Sequence, residues 1–274
     1  MTPEPFLTTD IPAFLAAASG ENWVVERWEL VFLLEAFPAG CRVVRTETGA
    51  PCGFVTSCIH HASGWIGNLV VAPEYRGQGV GEQLFCDALR SLCAAEMATV
   101  WLTASEAGSG IYKKHGFKTI DTILRWTGFS GRDGDNGGYE IPPPAENSRA
   151  FSLDSRAWGD RRELLVSTVM ERGTSLIVDD GFITLQPYGD MFQIGPFVAL
   201  DEQTAGKLLN GALSLAPEGR RICLDAPVSN RAGVNHFSSM SMTVAGSNEL
   251  MYFGKRPEYH PELLYGLASM GSCG

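Results

Sequence analysis

No stretch of the 274 residues approaches the ~18 apolar side chains a membrane span needs, so no membrane association is expected. Met1-Thr-Pro-Glu-Pro5 carries no positive charge and opens no long apolar run, so no signal peptide is expected and the expected location is the cytoplasm. Positive charge is scarce: 21 Lys and Arg against 31 Asp and Glu leave a net charge of -10. The balance is negative on both sides of residue 128, so neither half is suited to tracking a phosphate backbone, and no nucleic-acid partner is expected. An acidic surface leans instead toward cationic acceptors such as amines. The seven cysteines include no C-x-x-C pair. Cys52, Cys58, Cys86, Cys93 and Cys223 lie in apolar runs and are expected to be small buried hydrophobes, with no metal bound. The Gly-Lys-Ser/Thr of a Walker loop is absent, and so is the glycine spacing of a Rossmann turn.

Hydrophobic residues at 45% and charged residues at 19% mark a globular chain, long enough for two domains with their own cores. The clearest break is Ser130 to Pro144, where Gly and Asp cluster ahead of three prolines. Before it, periodicity predicts helices over 10–18 and 23–37, strands over 41–46, 53–59 and 65–71, and a helix over 79–97. A strand over 98–104, a short helix over 108–115 and one or two strands to 127 complete the half. After the break the pattern predicts a helix over 158–172, strands over 175–179, 181–187 and 191–200, and a helix over 201–216 with Asp201 as N-cap. A strand over 221–225, a helix over 230–240 and strands to 253 follow. The shared element order marks the second half as a diverged internal copy of the first.

The informative segment is Val70-Val-Ala-Pro-Glu-Tyr-Arg-Gly-Gln-Gly-Val-Gly-Glu-Gln-Leu84. A buried strand ends, a glycine-rich loop follows, and the loop opens directly into a helix. Gly77, Gly79 and Gly81 let the backbone turn tightly and gather N–H groups in one concavity. The helix dipole adds to them, which makes the arrangement a diphosphate cradle.

This segment resembles the GNAT superfamily of acyl-CoA N-acyltransferases. The family pattern Val-x-Pro-x-x-Arg/Gln-x-x-Gly-x-Gly/Ala is matched by Val71, Pro73, Arg76, Gly79 and Gly81. Ile111-Tyr-Lys-Lys-His-Gly-Phe117 resembles the Tyr-x-x-x-Gly-Phe that closes the family's cofactor site. The second half, with Gly195-Pro196, Leu224-Asp-Ala-Pro227 and Tyr265-Gly-Leu-Ala-Ser269, is similar to the degenerate second domain of tandem, YitH-like members. The resemblance implies an α+β fold of two GNAT-like domains, each a mixed, mostly antiparallel sheet flanked by helices. Residues 1–128 would form the catalytic domain, 129–147 a linker and 148–274 the degenerate copy.

The implied reaction is direct attack of a small molecule's primary amine on acetyl-CoA, with no metal and no cysteine nucleophile. Leu69, Val70 and Val71 would contact the pantetheine and acetyl groups, and Arg76, Gly77, Gln78, Gly79, Val80 and Gly81 the diphosphate. Tyr112 occupies the general-acid position, where a phenol of pKa about 10 can protonate the leaving thiolate. Ser105 stands where many members place a pantetheine-binding Asn. Gly67 aligns with the strand Glu that some members use as base, so the base is unassigned. His60 and His61 read as a surface turn, Glu26 and Glu29 as a solvated helix face. Trp23 and Trp28 are candidates for the acceptor pocket, and Asp225 for a ligand to a cationic acceptor across a cleft shared by the halves. With Asp201 and Glu202 replacing the glycine loop, the second copy is not expected to bind CoA. The expected partners are a small-molecule amine and a second copy of the chain in a homodimer. Two other functions are carried: a non-catalytic acyl-CoA-binding or sensing module, and a protein N-terminal or lysine acetyltransferase.

Overall fold

Apolar residues alternate along the strands and so dress both faces of one sheet. On β3, Phe54 and Cys58 join one core while Val55 joins another. The computed structural model describes residues 2–131 and 147–274; most of the break read at 130–144 lies outside the described residues. The first half runs β1 (Glu4–Pro5), α1 (Ile11–Gly20), α2 (Arg27–Ala36), β2 (Arg42–Arg45), β3 (Pro51–Ile59), β4 (Ser63–Val71), α3 (Val80–Ala94), β5 (Thr99–Ala104), α4 (Ser109–Lys114) and β6 (Lys118–Phe129). The second runs α5 (Asn147–Trp158), α6 (Glu163–Arg172), β7 (Thr174–Val178), β8 (Gly181–Tyr188), β9 (Met191–Ala199), α7 (Glu202–Leu215), β10 (Arg221–Pro227), α8 (Arg231–Ser239), β11 (Thr243–Gly254) and β12 (Leu264–Gly266).

The expected mixed, mostly antiparallel sheet is present, and it is continuous across the halves in the order β1-β2-β3-β4-β5-β11-β6-β10-β9-β8-β7, with β12 paired to β9. Only β4–β5 and β9–β10 pair in parallel. The centre is an exchange of strands: β11, late in the chain, pairs with β5, and β6 pairs with β10. The two exchanged strands then pair with each other over most of their length.

One face carries α1, α2, α5 and α6 over a single core that crosses the halves through Phe14, Leu33, Trp65, Trp101, Trp158 and Val166. The other face carries α3 over the first half and α7 over the second, each with its own core. The helix predicted over 158–172 begins only at Glu163, and α5 before it, which the sequence reading did not predict, ends at Trp158, where Gly159 takes φ 70°. Arg162 of the break forms a buried bidentate ion pair with Asp154 at 2.7 and 3.0 Å, which ties α5 to α6. The helix read from residue 23 begins only at Arg27. None of the seven cysteines is in a disulfide; of those expected to be buried, Cys86 is half-buried and Cys93 exposed. Among the described residues no helix is long and apolar enough to cross a membrane.

Candidate active site

The site begins where β4 leaves β5. The two strands pair only from Ser63–Trp65 to Thr99–Trp101. Beyond Trp65, β4 carries a bulge: the register passes from Thr56↔Gly67 to Phe54↔Val70, so Asn68 and Leu69 share the place opposite Val55. Asn68 takes the left-handed conformation at φ 55°, which Asn tolerates better than most residues. A bulge bends its strand, and here it opens a wedge. The wedge forms a cavity of about 230 Å³, whose lining includes Trp23, Leu69, Ser105, Tyr112, Arg125 and Tyr188. Val70 and Val80 point into the core, so only their backbone is available to a ligand.

At the end of β4 the loop turns through Gly77 and Gly79 at φ 72° and 81°. A Cβ at either would meet nothing within 4 Å, so glycine is required there by the backbone conformation. Gly79 is the N-cap of α3, with no side-chain cap. Among the described residues none accepts a hydrogen bond from the N–H groups of Gly77, Gln78, Gly79, Val80 or Gly81. Five adjacent unclaimed donors at a helix N-terminus fit a diphosphate. Arg76 and Gln78 are exposed and bond within the loop's surroundings: Arg76 Nε donates to the Val71 carbonyl at 2.9 Å and its guanidinium pairs with Glu21, while Gln78 Nε2 donates to the Glu74 carbonyl at 2.9 Å.

Tyr112 stands on α4 with its ring edge-on to Phe85 at 5.0 Å and only 9% of its surface exposed. No described residue bonds its hydroxyl, and the side chain lines the cavity. Burial pushes its pKa up to about 12, so it is a neutral proton donor across the physiological range. Ser105 lies beside it; its hydroxyl accepts from the Gly108 N–H at 3.3 Å and holds the turn into α4.

The far wall comes from residues that sequence reading missed. Arg125 of β6 faces the cavity, with Nε and Nη2 on the two carboxylate oxygens of Asp225 at 2.8 and 2.7 Å. Burial opposes its charge, but the Asp225 carboxylate outweighs it and holds the guanidinium above its ordinary pKa. Asp225 is therefore not a free ligand for a cation: it is 0% exposed and both oxygens are taken by Arg125. Trp28 is also misplaced by the sequence reading. It packs against the shared core with the Arg172 guanidinium 4.9 Å from its ring centre, away from the cavity, whereas Trp23 lines it. His60 and His61 stay on the turn between β3 and β4. Glu29 is not solvated but buried, at 4% exposure.

The floor is the segment after β12. The Asn68 N–H donates to the Gly271 carbonyl at 3.1 Å, and the Thr103 hydroxyl donates to the Met270 carbonyl at 2.5 Å. A Cβ on Gly67 would stand 2.3 Å from the Gly271 carbonyl oxygen, so no side chain fits where some relatives carry a Glu. Nothing in the local sequence marks this crossing, because its partners lie some 200 positions apart.

Residues 38–119 match a family model described as an acetyltransferase (GNAT) domain, and residues 150–266 match a second model of the same description. The chain belongs to the GNAT acetyltransferases, in tandem. Holothin acyltransferase of Pseudoalteromonas sp. (strain SANK 73390) is 26% identical over 219 residues, 75% of this chain and 72% of that protein. A provisional acetyltransferase from Pyrococcus horikoshii superposes with a TM-score of 0.83 over 99% of this chain and 95% of its own, at 22% identity. A GCN5-related N-acetyltransferase from Sphaerobacter thermophilus gives 0.64 over 94% and 98%, at 14% identity. The two solved structures share the fold, and the family matches with the acyltransferase relative support acyl transfer as the class of reaction.

In the second GNAT half, protein occupies both places that correspond to the glycine loop and the wedge of the first. Asp201 caps α7, accepting from the Thr204 N–H and hydroxyl at 2.8 and 2.7 Å, where α3 leaves its donors free. β9 and β10 part beyond Ile194 and Leu224, as β4 and β5 do. There β12 enters the gap: it pairs with β9, and the Leu267 N–H donates to the Asp225 carbonyl at 2.8 Å.

Proposed function

We propose that the protein transfers an acetyl group from acetyl-CoA to the primary amine of a small molecule by direct displacement, with one cofactor site per chain. Acetyl-CoA would supply the activated thioester. The N–H groups from Gly77 to Gly81 would hold its diphosphate, and Leu69 with the bulged edge of β4 its pantetheine arm. Tyr112 would donate its phenolic proton to the departing sulfur. The observation that carries the reading is Tyr112 itself: an unpartnered, neutral hydroxyl in a cavity lined by β4, the strand that runs into the uncapped glycine loop.

The size of the cavity and its floor of chain favour a small acceptor over a folded protein. Arg125 has Nη1 without a partner among the described residues, which favours an amine that also carries a carbonyl or carboxylate oxygen. The relative named for acylating holothin makes that compound the first acceptor to try. The test is thiol release from acetyl-CoA across a panel of amines. Saturable, amine-dependent release supports the reading. Tight CoA binding with no release for any amine would instead support a binding or sensing module.

A further inference from the structure

Deprotonating the amine requires a base, and the strand position that some relatives use is closed to any side chain here. What fills that place is the segment Ser269–Ser272, and behind it stands Glu29 of α2. The carboxylate divides its work. Its Oε1 accepts the Glu26 N–H at 2.9 Å and so caps α2. Its Oε2 accepts from the Ser269 hydroxyl at 3.4 Å, while the Ser272 hydroxyl donates to Asn68 Oδ1 at 3.4 Å. Both serines line the cavity although each is more than nine-tenths buried. The Ser272 N–H donates to Ser269 Oγ at 3.2 Å, which frees the Ser269 proton for Glu29. Such contacts are commonly long in the free enzyme and shorten when substrate arrives.

We infer that Glu29 is the terminal proton acceptor for the incoming amine, reached through the Ser269 hydroxyl with Ser272 beside it; this rests on the amine acyl transfer proposed above. Ser269 takes a proton from the ammonium nitrogen as it passes its own to Glu29 Oε2. The neutral amine then forms the C–N bond as the C–S bond breaks. The second proton lost by nitrogen balances the one Tyr112 delivers to sulfur, and Glu29 returns its proton to solvent after release. Glu29 acts through a serine and does not touch the amine, so it is a positioning residue. The titratable groups that face it are Glu26, Tyr188 and Cys273. Burial, and less strongly the Glu26 charge, raise its pKa, against the hydrogen bond from the Glu26 N–H, which lowers it.

Glu29→Gln keeps an oxygen for the Glu26 N–H and removes the proton acceptor. With an aliphatic amine, charged at pH 7, kcat/KM should fall about 10²–10⁴-fold. The loss should shrink about tenfold per pH unit as the pH rises toward the amine's own pKa. With an aromatic amine, already neutral at pH 7, the loss should be under about tenfold. Equal losses with both amines at every pH would overturn the relay and leave Glu29 as a helix cap. A second readout needs no turnover: the infrared difference between wild type and Glu29→Gln titrates the carboxyl group directly. Ser269→Ala should raise the pH at which it ionises, because it removes the hydroxyl donor to the carboxylate. A titration that this substitution does not move also overturns the relay. Absence of thiol release from wild type with every amine would count against the proposed reaction, while the infrared titration still decides the serine link.

Discussion

At the scale of single residues, burial decides which polar groups can do chemistry. Tyr112→Phe keeps the ring's packing on Phe85 and removes only the hydroxyl. We expect kcat to drop about 10²–10⁴-fold with CoA affinity little changed, checked by steady-state kinetics beside calorimetry. Because burial lifts the phenol to about 12, the activity limit it sets should lie near pH 12, not near 10 as for a free tyrosine. Asp225 poses a different test. Asp225→Asn leaves the Arg125 charge half-buried against an uncharged partner. We expect a stability loss of up to ~3–5 kcal/mol in urea unfolding, the range for a broken buried pair, reduced by the exposed part of the guanidinium. Urea unfolding identical to wild type would show that the pair contributes nothing net.

At the scale of elements, the same strand–loop–helix unit has two outcomes, set by what occupies the helix N-terminus. α3 leaves five N–H groups open and α7 closes its own with Asp201. Gly79→Val forces a β-branched residue to φ 81° and brings a side chain to the mouth of the cradle. We expect CoA affinity to fall at least tenfold in calorimetry. Wild type should titrate to one CoA per chain; two equivalent sites would contradict the closed second cradle. This level was legible from sequence, because the glycine loop and the Tyr112 segment are local and their residue types follow from backbone geometry. α5 was not read, because its polar and charged residues Asn147, Ser148, Arg149, Ser152, Asp154, Ser155 and Arg156 sit next to the break at 130–144, and what ties it to α6 is the Asp154–Arg162 pair. Arg125, Ser269 and Ser272 escaped for a related reason. An arginine in a strand and serines near a turn look solvated until their distant partners, Asp225, Glu29 and Asn68, are known.

At the scale of the whole molecule, sequence reading supplied the tandem of two similar halves but not their exchange of strands. Two domains with their own cores, as the sequence suggests, would be separable, with CoA still bound after removal of residues 145–274. The pairing of β11 with β5 and of β6 with β10 argues otherwise. A fragment of residues 2–131 would bare the edge of β5 and strip β6 of both neighbours, leaving aggregation-prone strand edges. We expect such a fragment to aggregate in light scattering and to bind no CoA; a monodisperse fragment that binds CoA would show that β6 can settle beside β5 alone. The exchange also reaches into biosynthesis. The strand that completes the edge of β5 lies about 150 residues further along the chain. At ordinary rates of translation the ribosome needs on the order of 10 s to make them. Throughout that interval the edge of β5 and both sides of β6 stay without their mature partners, an exposure that a chaperone holding the emerging first half would cover.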